Sequence, residues 1–151
     1  MTLDVDVIAP PKFCENIRSV FSKGKYCICH AKLLDVHPDE KDIMEFNMEK
    51  YPYRFNTDGK GIVVVDRSKA MEIRGWDERF KGWGGEDNDF ENRISVVADF
   101  CSIEDASNFF HIPHPINRSK KEQEETYKNA ARLDESRNLP LIRNRGEFGE
   151  I

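Results

Sequence analysis

Hydrophobic and polar positions alternate first with period two and then with a helical period. Thr2-Leu3-Asp4-Val5-Asp6-Val7-Ile8 reads as a strand that stops at Ala9-Pro10-Pro11. Phe13, Ile17, Val20 and Phe21 then fall on one face of a predicted helix over Lys12–Lys23, with Gly24 as its C-terminal cap. Tyr26–Val36 is rich in apolar and β-branched residues and predicts a second strand. Pro38–Lys50 returns to helical spacing through Ile43, Phe46 and Met48. A polar turn over Phe55–Gly61 leads into Ile62-Val63-Val64-Val65-Asp66, whose continuous apolar run predicts burial on both faces. A short helix over Arg67–Ile73 ends at Gly75, and Asp87 onward turns helical with Phe90, Ile94 and Val97 on one side. Ser107–Ile112 predicts a further strand, and Ser119–Arg137 a long charged helix whose apolar side is Tyr127, Ala130, Ala131 and Leu133. The tail from Asn138 reads as irregular. Strands alternating with helices make this an α/β chain, with Leu3–Ile8 and Ile62–Asp66 expected as central strands.

Composition narrows the classes. A chain of 151 residues, 38% hydrophobic and 34% charged, suits one modest domain with a small core. A net charge of −5 argues against a nucleic-acid partner, whose binding rests on neutralised phosphates. No apolar run approaches the roughly 20 residues of a membrane-spanning helix, and the N-terminus lacks a basic, then hydrophobic, leader. The expected setting is cytoplasmic. The four cysteines are Cys14, Cys27, Cys29 and Cys101. Cys27-x-Cys29-His30 admits a metal reading, but a tight zinc site wants a second ligand pair, so buried free thiols are favoured. His30 and His37 are read as structural or exposed.

Chemistry concentrates in Gly75-Trp76-Asp77-Glu78-Arg79-Phe80-Lys81-Gly82-Trp83-Gly84-Gly85-Glu86-Asp87-Asn88-Asp89-Phe90-Glu91-Asn92-Arg93, where glycines and tryptophans meet carboxylates at a helix start. Glycines 82, 84 and 85 permit positive φ or close backbone approach, and acids in a first helical turn complement the helix dipole. The alternative is capping acids beside core aromatics. Asp4-x-Asp6 places two carboxylates two residues apart, either on a solvent-facing strand edge or aimed at a cation. His111 and His114 flank a proline turn, and neutral imidazoles there suit manganese or zinc.

The Gly75–Arg93 stretch resembles the catalytic motif of inverting glycosyltransferases of the GT-A fold, the β-1,4-galactosyltransferase and chondroitin-polymerase type. The resemblance implies a mixed sheet flanked by helices and a metal-dependent transfer of a hexose or N-acetylhexosamine from a nucleotide sugar, expected to be a UDP-sugar, to a glycan acceptor hydroxyl. It makes Asp87 the catalytic base and Glu86, Trp83, Gly84 and Gly85 the acceptor site. Asp4-Val5-Asp6 resembles the family's Asp-Val-Asp signature, implying donor contact at Asp4 and metal ligation at Asp6. His114 is then the first choice for the last ligand and His111 the second, with Mn2+ or Mg2+ as the ion. Gly61 is implied as a donor contact, although a hairpin turn accounts for it equally.

The family places roughly a hundred residues of nucleotide-binding half-sheet, the size of a half-domain, before this Asp-x-Asp, whereas here it stands at residue 4. The expectation is therefore the C-terminal half of that fold, with residues 1–137 as the acceptor and metal-binding domain and 138–151 as the tail. The nucleotide-binding half would come from a partner chain, or the chain is a fragment. A rival function is a non-catalytic carbohydrate-binding or assembly subunit. A metal-dependent hydrolase explains the Gly-Trp-Gly-Gly run poorly.

Overall fold

A computed structural model of the chain describes residues 2–24, 32–35, 39–45, 55–56, 62–99, 108–112, 114–115 and 118–144. Gly61, Cys27, Cys29, His30, His37, Cys101 and the expected elements' residues between these ranges lie outside the described residues. The fold is mixed α/β and divides into two compact units, Met1–Val65 with Phe100–Pro115, and Asp66–Asp99 with Ile116–Ile151.

The first unit holds the strands. β1 (Thr2–Leu3) pairs antiparallel with β5 (Ile62–Val63), and a four-stranded mixed sheet runs β2 (Val7–Ile8), β6 (Asn108–His111), β3 (Lys32–Asp35), β4 (Phe55–Asn56). β6 is parallel to β3 and antiparallel to β2. The expected single strand Thr2–Ile8 is thus two short strands in different sheets. Val7 N–H donates to Asp4 C=O at 3.2 Å, closing a turn. Aspartates are poor strand residues and good turn residues, which explains the break.

Ile62, Val63 and Val64 are all buried, so both faces of this run are covered as its continuous apolar pattern requires. Its ladder partner among the described residues is β1, at an antiparallel pair rather than at the centre of the mixed sheet. α1 (Phe13–Ser22) lays Phe13, Ile17, Val20 and Phe21 on a core of Val7, Ile62, Val64 and Phe109. Phe13 meets Phe109 edge-on, with ring centroids 5.0 Å apart. Gly24 sits at φ +75° just past the helix, the left-handed position expected of it. Cys14, expected as a buried thiol, is exposed, because Phe13 and Ile17 take the inward positions. α2 (Glu40–Glu45) falls within the helix expected over Pro38–Lys50, of which residues 46–50 lie outside the described residues.

The second unit is helical among the described residues: α3 (Arg67–Glu72), α4 (Glu86–Ile94) and α5 (Lys120–Ser136). Asp66, expected as a strand end, caps α3 by accepting from Ser68 N–H at 2.7 Å. α5 begins with a reciprocal capping box between Ser119 and Glu122. Its buried positions are Asn129 and Ser136, whereas Tyr127, Ala130 and Ala131 are exposed and only Leu133 of the expected apolar side is half-buried. α5 packs on the backbone of the glycine-rich turn, and backbone carbonyls call for donors rather than for leucines. No helix among the described residues is long and apolar enough to cross a membrane.

Candidate functional site

In the first unit, strand pairing draws distant parts of the sequence together. β2 and β6 align Val7 with His111, and one position beyond, Ile112 N–H donates to Asp6 C=O at 2.8 Å. The Asp6 carboxylate therefore lies beside the end of β6 and His114 beyond it. Asp6 Oδ2 is 3.4 Å from His111 Nε2 and 3.0 Å from His114 Nε2. One ligand atom from each of the three residues falls within 4.8 Å of the others. A carboxylate and two imidazoles converging in this way fit a borderline divalent cation such as Mn2+ better than Mg2+, which favours all-oxygen shells. Asp4 is exposed at the adjoining turn, and partial desolvation, then the Asp6 charge, push its carboxyl above the usual range against the opposing pull of His111.

The second unit carries the glycine-rich acidic stretch. Gly82, Gly84 and Gly85 have φ of +72°, +94° and +89°, so the predicted need for glycine is met at all three. The chain enters α4 through left-handed Gly85, placing Glu86, Asp87 and Asp89 in its first turn. Trp83 is 60% exposed, and the Arg118 guanidinium lies 3.9 Å from its ring centroid. Trp76 instead packs inward, stacked on Phe90 at 4.0 Å with an interplanar angle of 10°. Its indole N–H donates to Asp87 Oδ1 at 3.1 Å. Glu86 and Asp87 are half-buried.

Beneath this surface lies a charge network that sequence reading missed. Asp89 and Arg93, four residues apart on α4 and both nearly fully buried, pair at 2.7 Å. Arg93 also donates to Ile73 C=O at 3.1 Å. Asp77 is buried and bonded to Arg79 through both carboxylate oxygens, at 2.6 to 3.1 Å. Burial pulls the Asp77 carboxyl upward, yet the Arg79 hydrogen bonds and charge outweigh it and hold the group below its ordinary value. Arg143 lies 3.6 Å from Asp77 and 3.7 Å from Asp89, and burial lowers its affinity for the proton. The i, i+4 spacing of Asp89 and Arg93 was a readable signal. The role of Arg143 was not, because its partners lie far away in sequence.

Two asparagines were missed as well. Asn129 Nδ2 on α5 donates to Lys81 C=O at 2.9 Å and Trp83 C=O at 3.2 Å, while its Oδ1 accepts from Arg132 at 2.7 Å. Asn144 makes the same kind of clamp on the segment after α3. Asparagine at these positions has no sequence signature.

The structure thus brings Asp6, His111 and His114 together in one unit and Trp83, Gly84, Gly85, Glu86 and Asp87 along one stretch of the other. Among known protein families, residues 43–115 match the one described as the N-terminal domain of galactosyltransferase, just under half of the chain. No curated protein and no solved structure matches. The matched segment contains Trp83 to Asp87, His111 and His114, while Asp4 and Asp6 precede it. Over these residues the chain is similar to a galactosyltransferase-family domain.

Proposed function

We propose that the chain is a metal-dependent inverting glycosyltransferase that moves a hexose or N-acetylhexosamine from a UDP-sugar to a hydroxyl of a glycan acceptor. In this reading it forms the C-terminal part of a GT-A type fold. The observation that carries the reading is the convergence of Asp6, His111 and His114 in a chain that also holds the acidic stretch of a galactosyltransferase-like family.

Asp6, His111 and His114 would hold the cation, with Asp4 as a donor contact. A divalent ion bound there supplies Lewis-acid neutralisation of the leaving diphosphate. Asp87 accepts the proton of the acceptor hydroxyl as that oxygen bonds to the anomeric carbon and the bond from that carbon to the diphosphate breaks. A single displacement inverts the centre. Trp76 fixes the orientation of the base through Asp87 Oδ1. Glu86 accepts hydrogen bonds from acceptor hydroxyls. Exposed Trp83 offers an aromatic face to the C–H surface of a sugar, and Gly84 and Gly85 belong to the same acceptor site as the positive-φ turn that presents it.

The test is turnover of a panel of UDP-sugars with Mn2+, with and without glycan acceptors, by the full-length or partner-completed enzyme carrying the wild-type chain or Asp87→Asn, since the chain alone is expected to lack the nucleotide-binding half. The reading expects Mn2+-dependent transfer that falls roughly 10²–10⁴-fold in Asp87→Asn with donor binding little changed. Equal rates in the two proteins would overturn the assignment of the base. Glycan binding without turnover of any donor would favour a carbohydrate-binding subunit instead.

A further inference from the structure

We infer that Asn144, near the C-terminal end of the described chain, is a positioning residue for Asp87 and acts through Trp76. The inference rests on the catalytic reading of Asp87 and adds a residue outside the acidic stretch to its machinery.

The chain leaves α3 through two consecutive left-handed residues, Arg74 at φ +59° and Gly75 at φ +67°. Arginine in this region is strained, so something must hold it. Asn144 Nδ2 donates to Arg74 C=O and to Trp76 C=O, each at 2.7 Å, and Asn144 Oδ1 accepts from Glu78 N–H at 3.1 Å. One buried amide therefore spans the backbone on both sides of Trp76 and uses both of its donor hydrogens and its acceptor. Aspartate lacks the donors, and glutamine is a methylene too long for the same place. The clamp fixes where Trp76 stands, and Trp76 reaches Asp87 by its indole N–H while stacking on Phe90, one turn further along α4. Asn129 does the corresponding work on the Lys81 and Trp83 carbonyls, so the stretch is pinned at its start and at its glycine-rich turn by asparagines outside it.

A residue that only satisfied buried carbonyls would affect stability alone. A positioning residue also changes the geometry of the base, and a misplacement of about 1 Å can cost on the order of 100-fold in rate. The experiment compares wild type with Asn144→Ala in the full chain, completed by the nucleotide-binding half for the turnover measurements, at a temperature where both are folded. It follows kcat and KM for UDP-sugar transfer, Mn2+ affinity, and hydrogen exchange of the two tryptophan indoles by NMR, with Trp76 assigned through Trp76→Phe. Expected are a fall in kcat on the order of 10- to 100-fold, UDP-sugar KM and Mn2+ affinity within about twofold, and Trp76 indole exchange faster by about tenfold.

A lowered Tm with unchanged kcat would overturn the inference, as would an unchanged indole exchange rate. Asn144→Ser keeps one donor and serves as the milder variant. Should neither variant fold, the wild-type chain still decides: the Trp76 indole must exchange about tenfold or more slowly than that of exposed Trp83, and equal rates would overturn the clamp. If the partner-completed wild-type enzyme turns over no donor, the catalytic reading fails by itself, while the indole measurement still shows whether Asn144 holds Trp76 on Asp87.

Discussion

Gly85→Ala is the substitution whose cost can be worked most fully from the structure. Gly85 lies at φ +89°, and a Cβ there would stand 2.9 Å from Phe80 Cε1 and 3.3 Å from Asn129 C=O. The left-handed conformation costs an alanine about 1–2 kcal/mol. The contact with Phe80 forces a half-buried ring or the helix entry to shift, and overpacking of this kind adds about 1–3 kcal/mol. The sum is about 2–5 kcal/mol. Gly82 and Gly84 provide internal controls: both have positive φ, but their nearest neighbours to an added Cβ are at 3.9 and 3.8 Å, an ordinary contact. Alanine at either should cost only the conformational part, about 1–2 kcal/mol. Urea unfolding followed by tryptophan fluorescence reads this difference, because Trp76 and Trp83, the two tryptophans of the chain, both lie in the unit that contains these glycines. A Gly85→Ala protein as stable as Gly82→Ala would refute the argument that close packing on Phe80 and α5, and not conformation alone, demands glycine at this position.

Three further outcomes follow from the acidic stretch. Arg93→Met leaves the buried Asp89 carboxylate without its 2.7 Å partner, and breaking such a pair should cost about 3–5 kcal/mol in the same unfolding assay; a cost below about 1 kcal/mol would contradict the network. Asp77 has its carboxyl held below the ordinary value, so its contribution to stability is full above that ordinary value of 3.8 and is lost as pH falls through the lower folded value. Unfolding free energies measured at a series of pH values should therefore drop below about pH 4, and the drop should be smaller in Asp77→Asn; parallel pH profiles would contradict it. Glu86→Gln should raise the acceptor KM with donor KM unchanged, whereas the reverse pattern would remove Glu86 from the acceptor site.

Much of the acidic stretch was legible because glycine and helix-start chemistry are local. Gly82, Gly84 and Gly85 have the positive φ that only glycine adopts easily, and α4 starts at Glu86 as its spacing predicts. The proximity of Asp6 to His114 came from the resemblance to a known family, since nothing local reveals that β2 and β6 are neighbours. The apolar run at Ile62–Val64 announced its burial, but burial does not name the strand's partner. The split of Thr2–Ile8 could have been read from Asp4 and Asp6, whose preference for turns outweighed the alternating pattern. α5 and the segment ending at Asn144 were opaque for a different reason. Periodicity detects faces that meet apolar partners, whereas Asn129 and Asn144 act through single bonds to carbonyls 46 to 70 residues away.

The proposed chemistry turns on a divalent cation held by Asp6, His111 and His114. Its most direct measurement is Mn2+ titration of the full chain followed by electron paramagnetic resonance of free Mn2+, comparing wild type with Asp6→Asn and His114→Ala. The account predicts one saturable Mn2+ site per chain, with affinity reduced at least about tenfold in each variant, the scale expected when a ligand or its support is removed. Wild-type binding that is absent, or that survives both substitutions unchanged, would contradict it.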